Sequence, residues 1–249
     1  MSGINPTYGK LIHYRPERRV DLKRGATHLR RMKARKATLP ILCLMLAAQL
    51  GAAEPAKLTA YERSQGWRLL FDGQSLSDWH GYKQNKVPPN WQMVDGSLTS
   101  GGGVALVSND DFKDFEFQFD WKVSAGGSAA VYFHADDDVK DTANSGPVME
   151  LAGAGVAMAG NGGLTKPWRE ITLQPDVWYR AKISVYGNQV EYWINGDRVT
   201  GFVIDSPDWR AAVAGSAFKS VRDYGLLQQG RIVLDGRGVV FRNIKIRAL

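Results

Sequence analysis

The chain has 249 residues, 44% of them hydrophobic, which excludes a disordered protein and leaves room for one large core or two small ones. Its net charge of +7 would suit an anionic partner, but eleven basic and two acidic residues up to Ala53 give +9, so the remainder carries −2. That distribution excludes nucleic acid as a partner of the folded part.

Residues 1–31 show no apolar periodicity and precede a second usable start, Met32, so they read as a start placed too early or an extended n-region. Lys33, Arg35 and Lys36, then the apolar run Thr38 to Leu50, then Gly51-Ala52-Ala53 read as a signal peptide over 32–53. The apolar run is shorter than the roughly 20 residues that span a bilayer, so the expectation is cleavage, a periplasmic or secreted product, and contact with the membrane only during export. Cys43, the one cysteine, follows Leu42 where a lipoprotein signal needs a small residue. Its removal leaves residues 57–249 without a disulfide, a thiol nucleophile or thiolate ligands.

Beyond Ala53, turns rich in Asp, Gly, Asn and Pro separate short alternating segments, and these predict one all-β domain over 57–249. A short entry helix is expected at Thr59 to Gln65. Strands are expected at Trp67 to Phe71, Trp91 to Val94 and Ser97 to Thr99. The clearest strand runs from Phe115 to Val123, with Phe115, Phe117, Phe119, Trp121 and Val123 on one face and Glu116, Gln118, Asp120 and Lys122 on the other. Ala129 to His134 and Val148 to Leu151 follow. Trp178 to Tyr186, Gln189 to Ile194 and Arg198 to Val203 form a meander through turns at Gly187-Asn188 and Asn195-Gly196, the second a type I′ signal. A second helix is expected over Pro207 to Phe218, then strands at Gly230 to Leu234 and Val239 to Arg247. About ten short antiparallel strands require two packed sheets, hence a sandwich or jelly roll with one or two short helices.

Gly153-Ala-Gly155 followed by Gly160 lacks the helix and acidic residue of a dinucleotide site and reads as a loop. Asp136, Asp137, Asp138, Asp141 and Asn144 form either a solvated acidic turn or an oxygen-rich site for Ca²⁺, with no EF-hand spacing. No metal ligand set is assigned. Of the eight tryptophans, Trp121 and Trp193 are expected in the core, whereas Trp168, in a loop, is either a sugar platform or simple packing. His134 ends a strand beside the acidic turn, as an acid/base group or a side chain bonded to its neighbours. Glu150 interrupts an apolar strand: inward it would have a raised pKa and serve as a base, outward it is the polar half of an alternation.

Gly66-Trp-Arg-Leu-Leu-Phe-Asp-Gly73, with Ser77-Asp78-Trp79 after it, resembles the opening of the 3-keto-disaccharide hydrolase domain. Trp91-x-x-x-Asp95-Gly96-x-Leu98, Val190-Glu-Tyr-Trp-Ile-Asn-Gly196, Ser206-Pro-Asp-Trp209 and Phe241-Arg-Asn-Ile-Lys-Ile246 agree, in order, over Leu58 to Leu249. The resemblance implies a concanavalin A-like jelly roll acting on glycosides oxidised at sugar C3. The chain departs from the family's pattern where the chemistry should sit. His134 stands in place of an Arg, Glu150 occupies the Gln position of a Glu-x-Gln-x-x-Asp strand, and Asp235-Gly-Arg237-Gly238 replaces Gln-Asp-His-Gly. The expected function is a secreted hydrolase or lyase of 3-keto-glycosides. Its candidate acid/base groups are Glu150 and His134, with Asp136, Trp168 and Arg237 around the oxidised sugar. The alternatives are a binding module of the same fold that has lost catalysis, and a structural partner in the envelope.

Overall fold

The computed structural model describes residues 56–152 and 158–249, all within the compact unit Gln49–Leu249. The expected signal peptide, the segment before it and the expected loop at Gly153-Ala-Gly155 lie outside the described residues. Helix α1 (Ala60–Ser64) opens with a capping box, in which Thr59 and Glu62 satisfy each other's free backbone N–H groups. Eleven strands follow in chain order with a second helix among them. They are β1 (Arg68–Phe71), β2 (Trp79–Gly81), β3 (Trp91–Val94), β4 (Ser97–Gly101), β5 (Leu106–Ser108), β6 (Phe115–Ala135), β7 (Val148–Ala152), β8 (Tyr179–Tyr186), β9 (Gln189–Ile194), β10 (Asp197–Val203) and β11 (Arg231–Ala248). Helix α2 (Pro207–Ala214) lies between β10 and β11, capped by the Ser206 hydroxyl with Pro207 in its first turn.

The fold is the all-β jelly-roll sandwich expected, but its two layers are one hydrogen-bonded sheet folded over rather than two separate sheets. The expected strands Phe115–Val123 and Ala129–His134 are the two halves of β6, and Gly230–Leu234 and Val239–Arg247 the two halves of β11. These long strands pair antiparallel throughout and bend together near Gly126-Gly127 and Gly236-Gly238. In the first layer the order is β10-β9-β8-β6-β11, with β1 and β4-β3 beyond. In the second it is β7-β6-β11-β5-β2. Bending is what lets the strand bury both halves: Phe115, at the start of β6, meets Phe133, near its end, edge to face at 6.2 Å. The Tyr192 hydroxyl, from β9, donates across the core to the Val148 carbonyl on β7 at 2.9 Å.

Phe115, Phe117, Phe119 and Trp121 are fully buried, as their alternation predicts, each stabilising the core by about 2–3 kcal/mol. The Asn195-Gly196 hairpin has φ of 51° and 88°, the two positive angles a type I′ turn requires. Trp193 is not in the core. On β9 the inward set is Val190, Tyr192 and Ile194, so Trp193 faces outward, its ring 4.7 Å below the Lys182 ammonium and its N–H donating to Glu191. Strands β2 and β5 were not anticipated, because three residues are too few to display a period.

Candidate functional site

The second layer has an outward face, and strand register assigns its occupants. Ala130 on β6 lies opposite Glu150 on β7 and opposite Asp235 on β11. Three residues in register on adjacent antiparallel strands project from the same face, so the two carboxyl groups stand on either side of a methyl group. Their strands are two spacings apart, about 10 Å. Ser128 and Tyr132, two residues either way along β6, complete the row, and Arg237 lies two residues beyond Asp235. Together with Gly102 and Gly103 these residues line an open cleft of about 470 Å³. One end of the same face is closed by an apolar cluster of Tyr82, Val107, Tyr132, Val148 and Val233.

Glu150 is only 8% exposed and faces this cleft rather than the core. The free edge of its strand is covered by the turn 159–162: Ala159 N–H donates to the Glu150 carbonyl and Val148 N–H to the Asn161 side chain. The same turn places Gly162 N–H on Glu150 Oε1, while Oε2 has no partner among the described residues. Burial raises the Glu150 pKa and outweighs the opposing backbone N–H donors. Burial likewise raises Asp235 above its ordinary value. The Tyr132 hydroxyl is pushed up by burial first, then by Asp235 and Glu150. Arg237 packs its stem against Gly102, where a Cβ would come within 3.0 Å of it. Its guanidinium has no protein partner among the described residues.

Of the residues expected around the site, the structure brings together Glu150 and Arg237. His134 is elsewhere. Period two would place it on the cleft face with Ala130 and Tyr132, but β6 bulges there: His134 has φ 45°, and two residues, Phe133 and His134, fall opposite one on β11. Both turn inward. His134 is 2% exposed, contacts the rings of Phe115 and Phe133, and donates from Nε2 to the Lys113 carbonyl at 2.7 Å. Burial lowers its pKa, and its ring does not line the cleft.

Asp136 lies past the bulge, its carboxylate accepting from Asp138 N–H and its carbonyl from the Tyr82 hydroxyl. The next residue, Asp137, is taken up by His80 at 3.1 Å and Arg231 at 3.7 Å. Among the described residues no group of three or more His, Cys, Asp and Glu side chains converges as a metal site. Trp168 is 57% exposed and lies over β10, with the Arg198 guanidinium 4.7 Å from its ring; it does not line the cleft. Asp235 and Tyr132 were not singled out from sequence. The signal that finds them is register, which needs the pairing of β6 with β11.

The model of the 3-keto-alpha-glucoside-1,2-lyase-like domain matches residues 66–247. The chain belongs to that family. A curated relative, the 3-keto-disaccharide hydrolase of Bacteroides thetaiotaomicron, is 26% identical over 244 residues, covering 80% of this chain and 84% of that protein. A solved structure from Parabacteroides distasonis ATCC 8503, described as a glycosyl hydrolase, superposes with a TM-score of 0.73 at 24% identity, covering 78% of this chain and 99% of that one. A second from the same organism gives 0.54 at 22% identity, covering 74% and 99%. These two establish the shared fold. The cleft of this family member carries Glu150, Asp235, Tyr132 and Arg237.

Proposed function

We propose that the chain is an exported hydrolase or lyase of 3-keto-glycosides, with Glu150 as base and Asp235 as acid in the cleft over Ala130. The observation that carries this reading is the pair of carboxyl groups, both with raised pKa, facing each other across one small residue. Family membership and the printed name of the Bacteroides relative support the substrate class.

A carbonyl at sugar C3 makes the C2 proton acidic. The Glu150 carboxylate takes that proton, and the electron pair moves onto the C3 oxygen, for which the Tyr132 hydroxyl and the Arg237 guanidinium are the donors at hand. As the C3 carbonyl re-forms, the C1–O bond breaks and protonated Asp235 delivers its proton to the departing oxygen. The product at this stage is an enone, the outcome of a lyase. Addition of water at C1, with C2 regaining a proton, completes a net hydrolysis.

Incubation with 3-keto-glucosides tests the reading. Release of the leaving group, abolished in Glu150→Gln, is the expected result. No release at high enzyme concentration, or undiminished release by the variant, contradicts it. Calorimetric binding of the oxidised sugar without turnover would make the chain a binding module instead. Export is supported by the residue pattern of 32–53, and the periplasmic or secreted protein should begin near Glu54. Retention of residues 32–53 in the mature protein would refute export with cleavage.

A further inference from the structure

We propose that Thr200 and Asn161 are positioning residues for the base: they lock the turn 159–162 in the conformation whose backbone N–H groups grip one oxygen of Glu150 and leave the other to take a proton. This rests on the reading of Glu150 as the base of the cleft. Within the turn Ala159, Asn161 and Gly162 have φ of 56°, 52° and 67°, in the left-handed region that residues other than glycine avoid. Two of the three bear side chains, so contacts from outside must hold the backbone there. Left-handed residues in close succession turn their N–H groups to one side, and such a concavity receives an anion. Here the anion is the Glu150 carboxylate: Gly162 N–H donates to Oε1, and the N–H groups of Asn161 and Gly160 also bear on it.

Thr200 and Asn161 supply the ties. Strand β10 bulges between Arg198 and Thr200, so Val199 and Thr200 are both buried and a hydroxyl enters the core. That hydroxyl donates to the Ala159 carbonyl at 2.8 Å. The fully buried Asn161 side chain accepts from Val148 N–H at 3.1 Å, which joins the turn to the strand that carries Glu150. Ala159 N–H closes the circuit on the Glu150 carbonyl at 2.8 Å. Phe218 packs so closely on Gly162 that a Cβ there would come within 2.6 Å of its ring. With Oε1 held, the carboxyl group keeps one orientation, as proton abstraction from a positioned substrate requires.

The turn also governs ionisation. Burial raises Glu150, and its own N–H and those of Gly162, Asn161 and Gly160 oppose the rise, so a loosened turn should leave the carboxyl higher still. The other ionisable groups facing Glu150 are Tyr132 on β6, Asp235 and Arg237 on β11, Tyr192 on β9 and Tyr224. Burial raises the three phenols, which stay neutral across this range, so Asp235 is the neighbour that titrates alongside Glu150.

The test follows Glu150 by NMR titration of its carboxyl carbon, assigned by loss of the signal in Glu150→Gln and recorded in an Asp235→Asn background. In parallel, with Asp235 intact, it follows the pH profile of kcat/KM for methyl 3-keto-glucoside. Thr200→Val should move the titration and the acid limb of the profile to higher pH together. Below that limb kcat should fall about tenfold or more, with KM within about twofold of wild type. Thr200→Ser keeps the hydroxyl and should restore both readings. Asn161→Gly keeps the left-handed backbone, removes the tie to Val148 and should move both readings the same way, so it decides where Thr200→Val fails to fold. A turn that serves only the fold would lower the melting temperature and leave both pH readings in place. That result, or a Thr200→Ser protein as impaired as Thr200→Val, overturns the proposal. Absence of turnover by the wild type would remove the catalytic reading, and the NMR titration alone then decides the grip: a shift in Thr200→Val or Asn161→Gly upholds it, and none in either overturns it.

Discussion

Glu150 and Asp235 stand on opposite sides of Ala130, each in direct register with it. Because antiparallel register fixes which side chains share a face, the space between the carboxyl groups is set by one alanine methyl. Ala130→Leu should therefore fill the place of the reacting ring. The expected effect is a loss of about 100-fold or more in kcat/KM at a stability cost of about 1 kcal/mol or less, read by steady-state kinetics and urea unfolding. Unchanged kinetics would mean that the ring does not lie over Ala130.

The two carboxyl groups also govern stability. Burial holds Glu150 and Asp235 above their ordinary values of 4.5 and 3.8, so the folded chain favours their protonated forms. The stability from that preference is complete below the ordinary values and is lost as pH rises through the raised ones. Glu62, held down to about 2 by its hydrogen bond to Lys245, acts in the opposite sense and in a lower window: its contribution is present above its ordinary value of 4.5 and lost as pH falls towards 2. The contribution of these two groups should thus decline upward from about pH 4.5, against the buried His134, whose lowered pKa makes stability rise as pH approaches its ordinary value of 6.5. The decline should be smaller in Glu150→Gln, leaving the variant the more stable protein at neutral pH. Parallel pH profiles for the two proteins would refute the raised carboxyl.

Among the described residues Arg237 has no hydrogen-bond or ion-pair partner to lose. Arg237→Ala should lower kcat/KM by about 100-fold, through the missing donor to the developing oxyanion, while the melting temperature stays where it is. A variant that melts early instead would show that the residue serves the fold.

His134 makes the contrary case. His134→Ala removes a buried ring between Phe115 and Phe133 and strands the Lys113 carbonyl, at a cost of about 2–4 kcal/mol by chemical denaturation. Well below its melting temperature the folded variant should turn over within about twofold of wild type. A large fall in kcat with intact stability would return His134 to the chemistry.

Much of this was legible in the residues and some was not. Alternation from Phe115 to Val123 fixes the inward face of β6, and Asn195-Gly196 fixes a hairpin, because both signals are local. Glu150 was recognisable as a carboxylate in an apolar strand, and Arg237 only through the resemblance, at the turn where the family has Gln-Asp-His-Gly. The fate of His134 was not, since one residue in a left-handed conformation reverses the side of a strand and no composition marks it. Trp193 could have been placed from its neighbours, because Val190, Tyr192 and Ile194 already claim the inward face. Asp235 and Tyr132 depend on which strand pairs with which, and in this fold the partners β6 and β11 are about a hundred residues apart.

The most direct measurement is proton exchange at sugar C2, followed by NMR in D₂O with a 3-keto-glucoside as substrate. Removal of the C2 proton by Glu150 predicts deuterium at C2 of a hydrolysed sugar, or an enone that has lost the C2 proton, and neither exchange nor release with Glu150→Gln. Release with the C2 proton retained, or exchange that survives in the variant, would contradict the account.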